Sequence, residues 1–270
     1  MKFRKRLAFG VALGVVLGGV ALLAGANSEL SLTEPSLLFG SSFESGAVID
    51  GDDWNFSGNR PDVTSQQKRA GRYSLKSYLH RYHSSPSYRT ELRAKAPIPV
   101  KGRDTWYGFS IYLPAPYERD SIGEILAQWH STLDPGEKNL NPPMALHIKD
   151  GRWVLHARWN PYQPTVKGKT KMASYQLGSQ ETNRWTDWVF RVRWTYGNDG
   201  ELQVWKNGQL VVNRRGPIGY NDAKMPYFKM GIYKAPWRND VGNVVERIVF
   251  HDEVRIAGHG ASYSDVAPGR

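Results

Sequence analysis

Hydrophobic and polar residues alternate along most of the chain between residues 37 and 257, which is the pattern of β-strands. The segment YFKMGIYK, residues Tyr227–Lys234, places Phe228, Met230 and Ile232 on one face. Its other face carries Tyr227, Lys229, Gly231 and Tyr233. A glycine inside a strand often marks the close approach of a ligand or of another backbone, so we expect a gap for a ligand between Lys229 and Tyr233.

Turn signals between the alternating segments predict hairpins. Asp150-Gly151 separates MALHIK from RWVLHARW, and Asn207-Gly208 separates ELQVWK from QLVVNR. Both dipeptides suit the two-residue turns that match strand twist. The only helical signal is a short turn around Ser121–Leu126. The pattern predicts an all-β protein, an antiparallel sandwich or jelly roll with a concave face that can hold a long ligand.

The two ends of the chain differ from this body. Residues 1–26 combine a basic start, an apolar run and the small residues Ala24-Gly25-Ala26, which predicts a signal peptide, with an uncleaved anchor as the alternative. Residues 27–36 are expected to form a linker, residues 37–257 the jelly-roll domain and residues 258–270 a loose polar tail. We therefore predict a protein that is exported to the periplasm or secreted.

The charge of the chain indicates an anionic partner. Lys and Arg number 36 against 25 Asp and Glu, and residues 1–26 hold four of the basic residues and no acidic one. The remaining chain is therefore 32 basic against 25 acidic residues, or +7. A basic surface attracts anions, although many exported proteins are basic without a catalytic reason. Export favours an acidic polysaccharide over nucleic acid, and the absence of cysteine excludes thiolate chemistry.

Two further segments carry polar residues on one face of a predicted strand. In RTELR, Arg89, Glu91 and Arg93 share a face, and Glu91 can hold both guanidinium groups ready for a planar anion. In QWH, Gln128 and His130 share a face, and histidine is the side chain most easily tuned to act as a base near neutral pH. Taken singly, each pattern is more typical of a solvated strand face than of a binding site.

Together these residue types suit β-elimination at a 4-linked uronic acid. The proton on C5 lies next to a carboxylate, so its removal requires donors that stabilise further negative charge, which suits Gln128 and Arg89. The reaction also needs a base at C5 and an acid at O4. His130 and Tyr233 fit these roles, with Gly231 leaving a gap for the sugar ring. No metal or organic cofactor is required by this scheme.

The three motifs, in this order, resemble the signature strands of alginate lyases with the β-jelly-roll fold. The QWH motif, the RWTDWVFRVRW…DGELQVWKNGQLV block and YFKMGIYK resemble still more the polysaccharide lyases that include glucuronan lyase and heparin lyase I. The resemblance covers most of Phe43–Ile256 and implies a concanavalin-like sandwich. It implies that Arg89 and Gln128 neutralise the carboxylate, that His130 is the base and that Tyr233 is the acid. The substrate would be positioned by Glu91, Arg93, Lys229 and Lys234.

Two features qualify this resemblance. Many alginate lyases have Asn-Gln where this chain has Lys234-Ala235, which argues against a strict alginate assignment. Glucuronan is expected first because of the QWH and hairpin blocks, and alginate second because of RTELR. The segment FHDEVRI is similar to the closing strand of sandwiches that hold a structural calcium ion, for which Asp252 and Glu44 would be the candidates. The alternative for Asp252 is an ordinary turn residue.

Other functional classes fit the sequence less well. A glycoside hydrolase normally needs two carboxylates around the scissile bond, and Glu91 is the only acid in the three motifs. A non-catalytic, lectin-like protein for acidic polysaccharides would also favour Arg, Lys and Tyr, but it would not require His130 beside Gln128. We expect a monomer, with no membrane contact beyond the N-terminal segment.

Overall fold

The computed structural model describes residues 37–84, 86–239 and 242–269, all of which belong to one compact unit. The predicted signal segment 1–26 and linker 27–36 lie outside the described residues, so export of the protein stays a prediction. Within the described ranges, no helix combines the length and the apolar character needed to cross a bilayer.

Sixteen strands and one short helix form the regular structure of the described ranges. The strands are β1 (Leu37–Ser41), β2 (Trp54–Gly58), β3 (Asp62–Thr64), β4 (Ser74–His80), β5 (Arg89–Ala94), β6 (Asp104–Tyr112), β7 (Glu124–Thr132), β8 (Met144–Lys149), β9 (Arg152–Asn160), β10 (Lys171–Ser179), β11 (Trp185–Arg193), β12 (Glu201–Lys206), β13 (Gln209–Arg215), β14 (Gly219–Tyr220), β15 (Lys224–Tyr233) and β16 (Glu246–Ala257). The helix α1 spans Tyr263–Val266, and 3₁₀ turns occupy Lys167–Lys169 and Ala235–Asn239.

The strands form two eight-stranded sheets. Sheet A has the order β13-β12-β11-β6-β16-β4-β3, with β1 paired to β16. Sheet B has the order β10-β9-β8-β7-β15-β5-β2, with β14 paired to β9. All these pairs are antiparallel except β14 with β9. The arrangement confirms the predicted all-β jelly-roll sandwich. Consecutive strands form hairpins in both sheets, and pairs such as β6 with β16 and β5 with β15 join distant parts of the chain, as the crossovers of a jelly roll require.

Aromatic side chains fill the space between the sheets. Trp129 of sheet B lies 4.7 Å, ring centre to ring centre, from Phe190 of sheet A and 5.3 Å from its neighbour Phe228. The fully buried tryptophans are Trp129, Trp153, Trp188, Trp194 and Trp237. Large rings bury much apolar surface with few rotatable bonds, so they fix the strands that carry them. Trp129 therefore gives Gln128 and His130, its neighbours in sequence, a rigid support.

Both predicted hairpin turns are present. Asp150-Gly151 joins β8 to β9 with φ angles of 50° and 71°, and Asn207-Gly208 joins β12 to β13 with 49° and 81°. Two successive positive φ angles define the turn type for which Asn-Gly and Asp-Gly are favoured.

The expected helical turn around Ser121–Leu126 is not helical, since β7 begins at Glu124. Short apolar runs do not distinguish a helical turn from a buried strand. The tertiary contacts of Leu126, which is fully buried between the sheets, decide for the strand.

The segment after residue 257 is packed, whereas we expected a loose tail. Helix α1 lies on the outer side of sheet A, where Val266 is buried with Trp106 and Val189. Gly108 in β6 makes room for it, because a Cβ atom there would lie 1.8 Å from the carbonyl oxygen of Val266. The apolar residues Ala261, Val266 and Ala267, scattered in an otherwise polar segment, formed too weak a pattern to predict this contact.

Candidate active site

The three motifs lie on adjacent strands of sheet B, with β15 between β5 and β7. Lys229 pairs with Arg93 on one side and with Gln128 on the other. Tyr227 lies opposite His130, and Tyr233 lies opposite Arg89. The alternate residues of these strands point into the core, so the polar side chains share the face turned away from sheet A, called here the outer face of sheet B. Motifs far apart in sequence therefore meet on one surface.

Glu91 is the centre of this surface. Its side chain is 1% exposed, and its carboxylate accepts a hydrogen bond from Lys229 Nζ at 2.7 Å, another from the Gln128 amide and a longer one from Arg89 Nη1 at 3.5 Å. Burial lowers the pKa of Lys229, and the Glu91 charge opposes this shift. Glu91, Lys229 and Gln128 form a buried floor of paired charges, because an unpaired charge would be costly at this depth.

The two arginines of RTELR are held mainly by tyrosines. The Arg89 guanidinium lies 4.0 Å from the ring centre of Tyr233, and the Arg93 guanidinium lies 3.9 Å from that of Tyr227. Such cation–π contacts orient a guanidinium without using its N–H donors. The expectation that Glu91 fixes both arginines is correct for Arg89 only, since Arg93 forms no ion pair within the described ranges.

His130 is oriented through its Nδ1 atom. This atom lies 3.1 Å from the carbonyl oxygen of Ser131 and 3.3 Å from the hydroxyl of Tyr227, and the rings of His130 and Tyr227 stack at 5.5 Å. Since a carbonyl can only accept, the contact places the proton on Nδ1 and leaves the lone pair on Nε2. Burial, assisted by the positive charge of Lys229, lowers the pKa of His130. The imidazole is therefore neutral and able to accept a proton at neutral pH.

Tyr227 is a site residue that our sequence reasoning placed on the correct face but did not select. It contacts His130, whereas Tyr233 lies opposite Ile125, five residues from His130 along β7. Five residues of strand correspond to roughly 16 Å between the Cα atoms of Ile125 and His130. Burial raises the pKa of Tyr227, so its phenol keeps its proton. The alternation that selected Tyr233 applies equally to Tyr227, and only the register of β15 against β7 distinguishes them.

Gly231 makes room for a neighbouring strand, and the predicted gap for a ligand at this residue is wrong. Its φ angle is 132°, and a Cβ atom there would lie 2.1 Å from the carbonyl oxygen of Thr90 and 2.8 Å from Cα of Glu91. The missing side chain allows the β5 backbone to approach.

Lys234 is also placed differently from our expectation. It is fully buried, and its Nζ atom binds the carboxylates of Glu124 at 2.5 Å and Asp120 at 3.0 Å. Arg247 completes the cluster through a 2.8 Å contact to Glu124. The predicted contact of Lys234 with substrate is therefore wrong, because strand alternation ends at Tyr233 and the chain turns inward.

Two acidic sites bear on metal binding. The predicted calcium ligands Glu44 and Asp252 accept hydrogen bonds from backbone N–H groups of residues 69–73, at 2.9 Å from Arg72 and 2.8 Å from Arg69. These bonds use part of the oxygen capacity that calcium would need, and the calcium ion stays a prediction. Elsewhere, ligand atoms of Asp134, Glu137 and Asp222 lie within 4.8 Å of one another. Burial and these neighbours raise the pKa of Asp222 to about 7.

Solved structures of known proteins share this fold. The structure of an endo-β-1,4-glucuronan lyase from the fungus Trichoderma reesei matches with a TM-score of 0.69 and 18% identity, over 87% of this chain and 94% of that one. The alginate lyase AlyC3 matches with a TM-score of 0.52 and 14% identity, over 69% of this chain and 75% of that one. The cellulose induced protein Cip1 matches with a TM-score of 0.54 and 13% identity, over 81% and 96%. At these identities the likeness shows the fold alone.

The family of the chain follows from a sequence model. No curated protein matches the chain significantly. The family model described as polysaccharide lyase matches residues 43–255, which contain all three motif strands and most of both sheets. This match confirms the resemblance drawn from the motifs. The chain is a jelly-roll enzyme that belongs to the polysaccharide lyase family, and its substrate is a polysaccharide.

Proposed function

We propose that the enzyme cleaves a 4-linked, uronic-acid-containing polysaccharide by β-elimination and leaves 4,5-unsaturated uronate ends. The observation that supports this most directly is the register of β5, β15 and β7. It brings Arg89, Gln128, His130 and Tyr233 to the outer face of sheet B from three distant segments. A neutral imidazole and phenols surrounded by cations suit proton abstraction beside a carboxylate.

The reaction needs one base, one acid and donors that stabilise the negative charge on the substrate carboxylate. His130 Nε2 takes the proton from C5, the electron pair of that C–H bond forms the C4–C5 double bond, and the bond from C4 to the glycosidic oxygen breaks. A tyrosine hydroxyl gives its proton to the departing oxygen. The lowered pKa of His130 keeps the base unprotonated at neutral pH, which suits this direction of transfer.

Arg89 and Gln128 are the proposed partners of the substrate carboxylate. Gln128 Nε2 donates one hydrogen to Glu91 and keeps a second for a ligand. Arg89 Nε is buried without a hydrogen-bond partner within the described ranges, so its N–H is a second available donor. Gln128 is only 1% exposed and belongs to the same floor as Glu91 and Lys229, so a substrate carboxylate would contact its amide at the surface of that floor. Preorganised donors of this kind stabilise the charge that develops during proton removal.

The acid assigned by the resemblance is Tyr233, and Tyr227 positions His130. A sugar ring between His130 and Tyr233 would lie over Lys229 and Gln128, which occupy the intervening positions of β15 and β7. The Arg89 guanidinium lies 4.0 Å from the Tyr233 ring centre, a cation–π contact that holds both side chains beside the proposed position of the sugar ring.

A β-1,4-linked polyglucuronate is the first proposed substrate and alginate the second. The fold match to an enzyme described as an endo-β-1,4-glucuronan lyase is more extensive than that to an alginate lyase, with TM-scores of 0.69 and 0.52. The presence of Lys234-Ala235 in place of the Asn-Gln pair of many alginate lyases supports the same order.

The test is an incubation of the protein with glucuronan, alginate, heparin and hyaluronan, following the ultraviolet absorbance of the unsaturated uronate. We expect the chromophore to appear with glucuronan and to a smaller extent with alginate. Reducing ends without the chromophore would indicate hydrolysis, and binding without either product would indicate a lectin. Both results would contradict the proposal.

Three variants test the proposed roles of His130 as base, Tyr233 as acid and Tyr227 as the residue that positions His130. We expect His130→Ala and Tyr233→Phe to lower kcat by about 10²–10⁴-fold, the usual contribution of a general base or acid. Tyr227→Phe, the matched control, keeps both ring contacts, so we expect a loss of only about tenfold. If instead Tyr227→Phe abolished turnover and Tyr233→Phe did not, Tyr227 would be the acid. Circular dichroism of each variant verifies that the fold is retained.

A further inference from the structure

Arg158 lies on the outer face of sheet B, two strands from His130. Gln128 of β7 pairs with Ala145 of β8, which pairs with His156 of β9. Two residues further along β9, the Arg158 amide donates to the carbonyl of Pro143 at 2.6 Å, which places Arg158 in line with His130 across the sheet. Two strand spacings place the backbone of Arg158 about 10 Å from that of His130.

The Arg158 guanidinium has no carboxylate partner within the described ranges. Its Nη1 atom donates to the carbonyl of Pro142 at 2.9 Å, and its Nη2 atom lies 3.3 Å from His156 Nδ1. The side chain is half-buried, and burial lowers the pKa of Arg158. By contrast, Arg191 and Arg193 share the carboxylate of Asp104. A desolvated cation held only by neutral acceptors is destabilising unless an anion completes its shell.

The neighbouring histidines supply no negative charge and add no positive charge. Burial lowers the pKa of His147 to about 3 and, with the help of Arg158, that of His156 to about 4, so both rings are neutral at neutral pH. Their ring centres lie 4.6 Å apart, and His147 Nε2 is buried without a hydrogen-bond partner among the described residues. His156 also lines a cavity of about 420 Å³ that opens on the same face beside Lys149 and Arg152. Asp150 also lines this cavity, whereas Arg158 lies beside it, next to His156. The neutral imidazoles leave the charge of Arg158 uncompensated.

Arg93 occupies the equivalent place on the other side of the catalytic residues. It pairs with Lys229, which pairs with Gln128, so Arg93 is also two strands from β7. On each side of Gln128 and His130, the outer face of sheet B thus presents an arginine that has no carboxylate partner among the described residues. In a β-1,4-linked chain, successive residues are turned over, so alternate carboxylates face the same side. Arg93 and Arg158 are four strand spacings apart, about 19 Å, with the catalytic residues midway. Each arginine is therefore two spacings from a uronate bound beside His130, which suits alternate carboxylates.

We propose that Arg158, supported by His156, is a distal subsite that binds the carboxylate of a uronate residue about two units from the scissile bond. This inference rests on the proposed function, because it assigns the ligand of the subsite from the polymer that the enzyme cleaves. It makes the enzyme prefer chains that are long enough to reach from His130 to Arg158.

The test uses β-1,4-linked oligoglucuronates of two and of about six residues. A dimer across the scissile bond ends one unit from it and cannot reach Arg158, whereas the longer oligomer spans about two strand spacings on each side of His130. Loss of one charge-assisted contact corresponds to about a tenfold to a hundredfold loss of affinity. We expect Arg158→Ala to lower kcat/KM by that factor for the longer oligomer and to leave the shorter one unchanged. Arg158→Lys should restore part of the loss. Arg215→Ala, which removes an 86% exposed arginine on sheet A, is the matched control and should change neither value.

A binding measurement separates this inference from the proposed reaction. Calorimetric titration of the longer oligomer into His130→Ala, with and without Arg158→Ala, reports the subsite without turnover, and circular dichroism verifies both folds. Equal affinities, or an unchanged preference for the longer oligomer in Arg158→Ala, would overturn the subsite while the lyase reaction still stood. Conversely, a wild-type enzyme that binds the oligomer through Arg158 without forming the chromophore would refute the reaction and retain the subsite.

Discussion

At the scale of single residues, Lys234 shows how a motif can mislead about function. It follows Tyr233 directly in YFKMGIYK, so we expected it to contact substrate, yet it is fully buried against Asp120 and Glu124. A buried cation that neutralises two carboxylates contributes to the fold, because removal of one partner leaves uncompensated charge.

We therefore expect Lys234→Met to destabilise the protein by about 3–5 kcal/mol, the usual cost of breaking a buried ion pair. Urea denaturation followed by circular dichroism measures the change. The control is Lys224→Met, at the exposed start of the same strand, which should be nearly neutral. A Lys234→Met protein of normal stability but weakened substrate binding would restore our original assignment.

The site residues were predictable to the extent that strand alternation sets their face. Arg89, Glu91, Gln128, His130 and Tyr233 all lie on the face that their sequence pattern predicts. Their partners were not predictable, because alternation within a strand carries no information about which strand lies beside it or in which register. For the same reason, the contact between Tyr227 and His130 could not be found from the sequence.

At the scale of the strands, the pairing of β5 with β15 depends on Gly231. Its positive φ angle and the nearby Thr90 carbonyl oxygen leave no space for a side chain. The hairpins at Asp150-Gly151 and Asn207-Gly208 were predictable because turn chemistry is local. Glycine is needed at position 231 because β5, about 140 residues earlier in the chain, packs against it. The sequence alone does not indicate that these two strands are neighbours.

We expect Gly231→Ala to destabilise the protein by more than the roughly 1–3 kcal/mol of backbone strain, since the new Cβ atom also collides with β5. Gly51→Ala is the matched control. Its φ angle is 92°, but nothing lies within 4 Å of its Cβ position, so it reports the strain alone. Thermal unfolding of both variants gives the difference. Equal losses in the two variants would mean that β5 can move away without cost.

At the scale of the whole molecule, buried titratable groups set the pH range of stability. The pKa of Asp222 is raised from 3.8 to about 7, so between these values the folded state holds a proton that the unfolded state has released. Stability therefore falls as the pH rises through this window. The lowered pKa values of His147 and His251, about 3 and about 4, act in the opposite sense and reduce stability as the pH falls below 6.5.

Asp222→Asn isolates one of these contributions. The amide cannot ionise beside Asp134 and Glu137, so we expect the variant to gain stability over wild type as the pH rises from about 4 to about 7, with the gain largest at pH 7 and above. Melting temperatures across this range give the two curves, and Asp52→Asn, at an exposed carboxylate, serves as control. Parallel curves for wild type and Asp222→Asn would show that this carboxyl is ionised throughout.

The burial of tryptophan between the sheets has an optical consequence. All ten indole rings lie in described ranges; seven are buried and Trp159, Trp185 and Trp205 are half-buried, while the outer face of β5, β7 and β15 carries tyrosine and no tryptophan. Indole emission shifts to longer wavelength when water reaches the ring. Tryptophan fluorescence should therefore show a large red shift when any variant unfolds. Its emission wavelength should change little when a sugar binds to the surface beside His130.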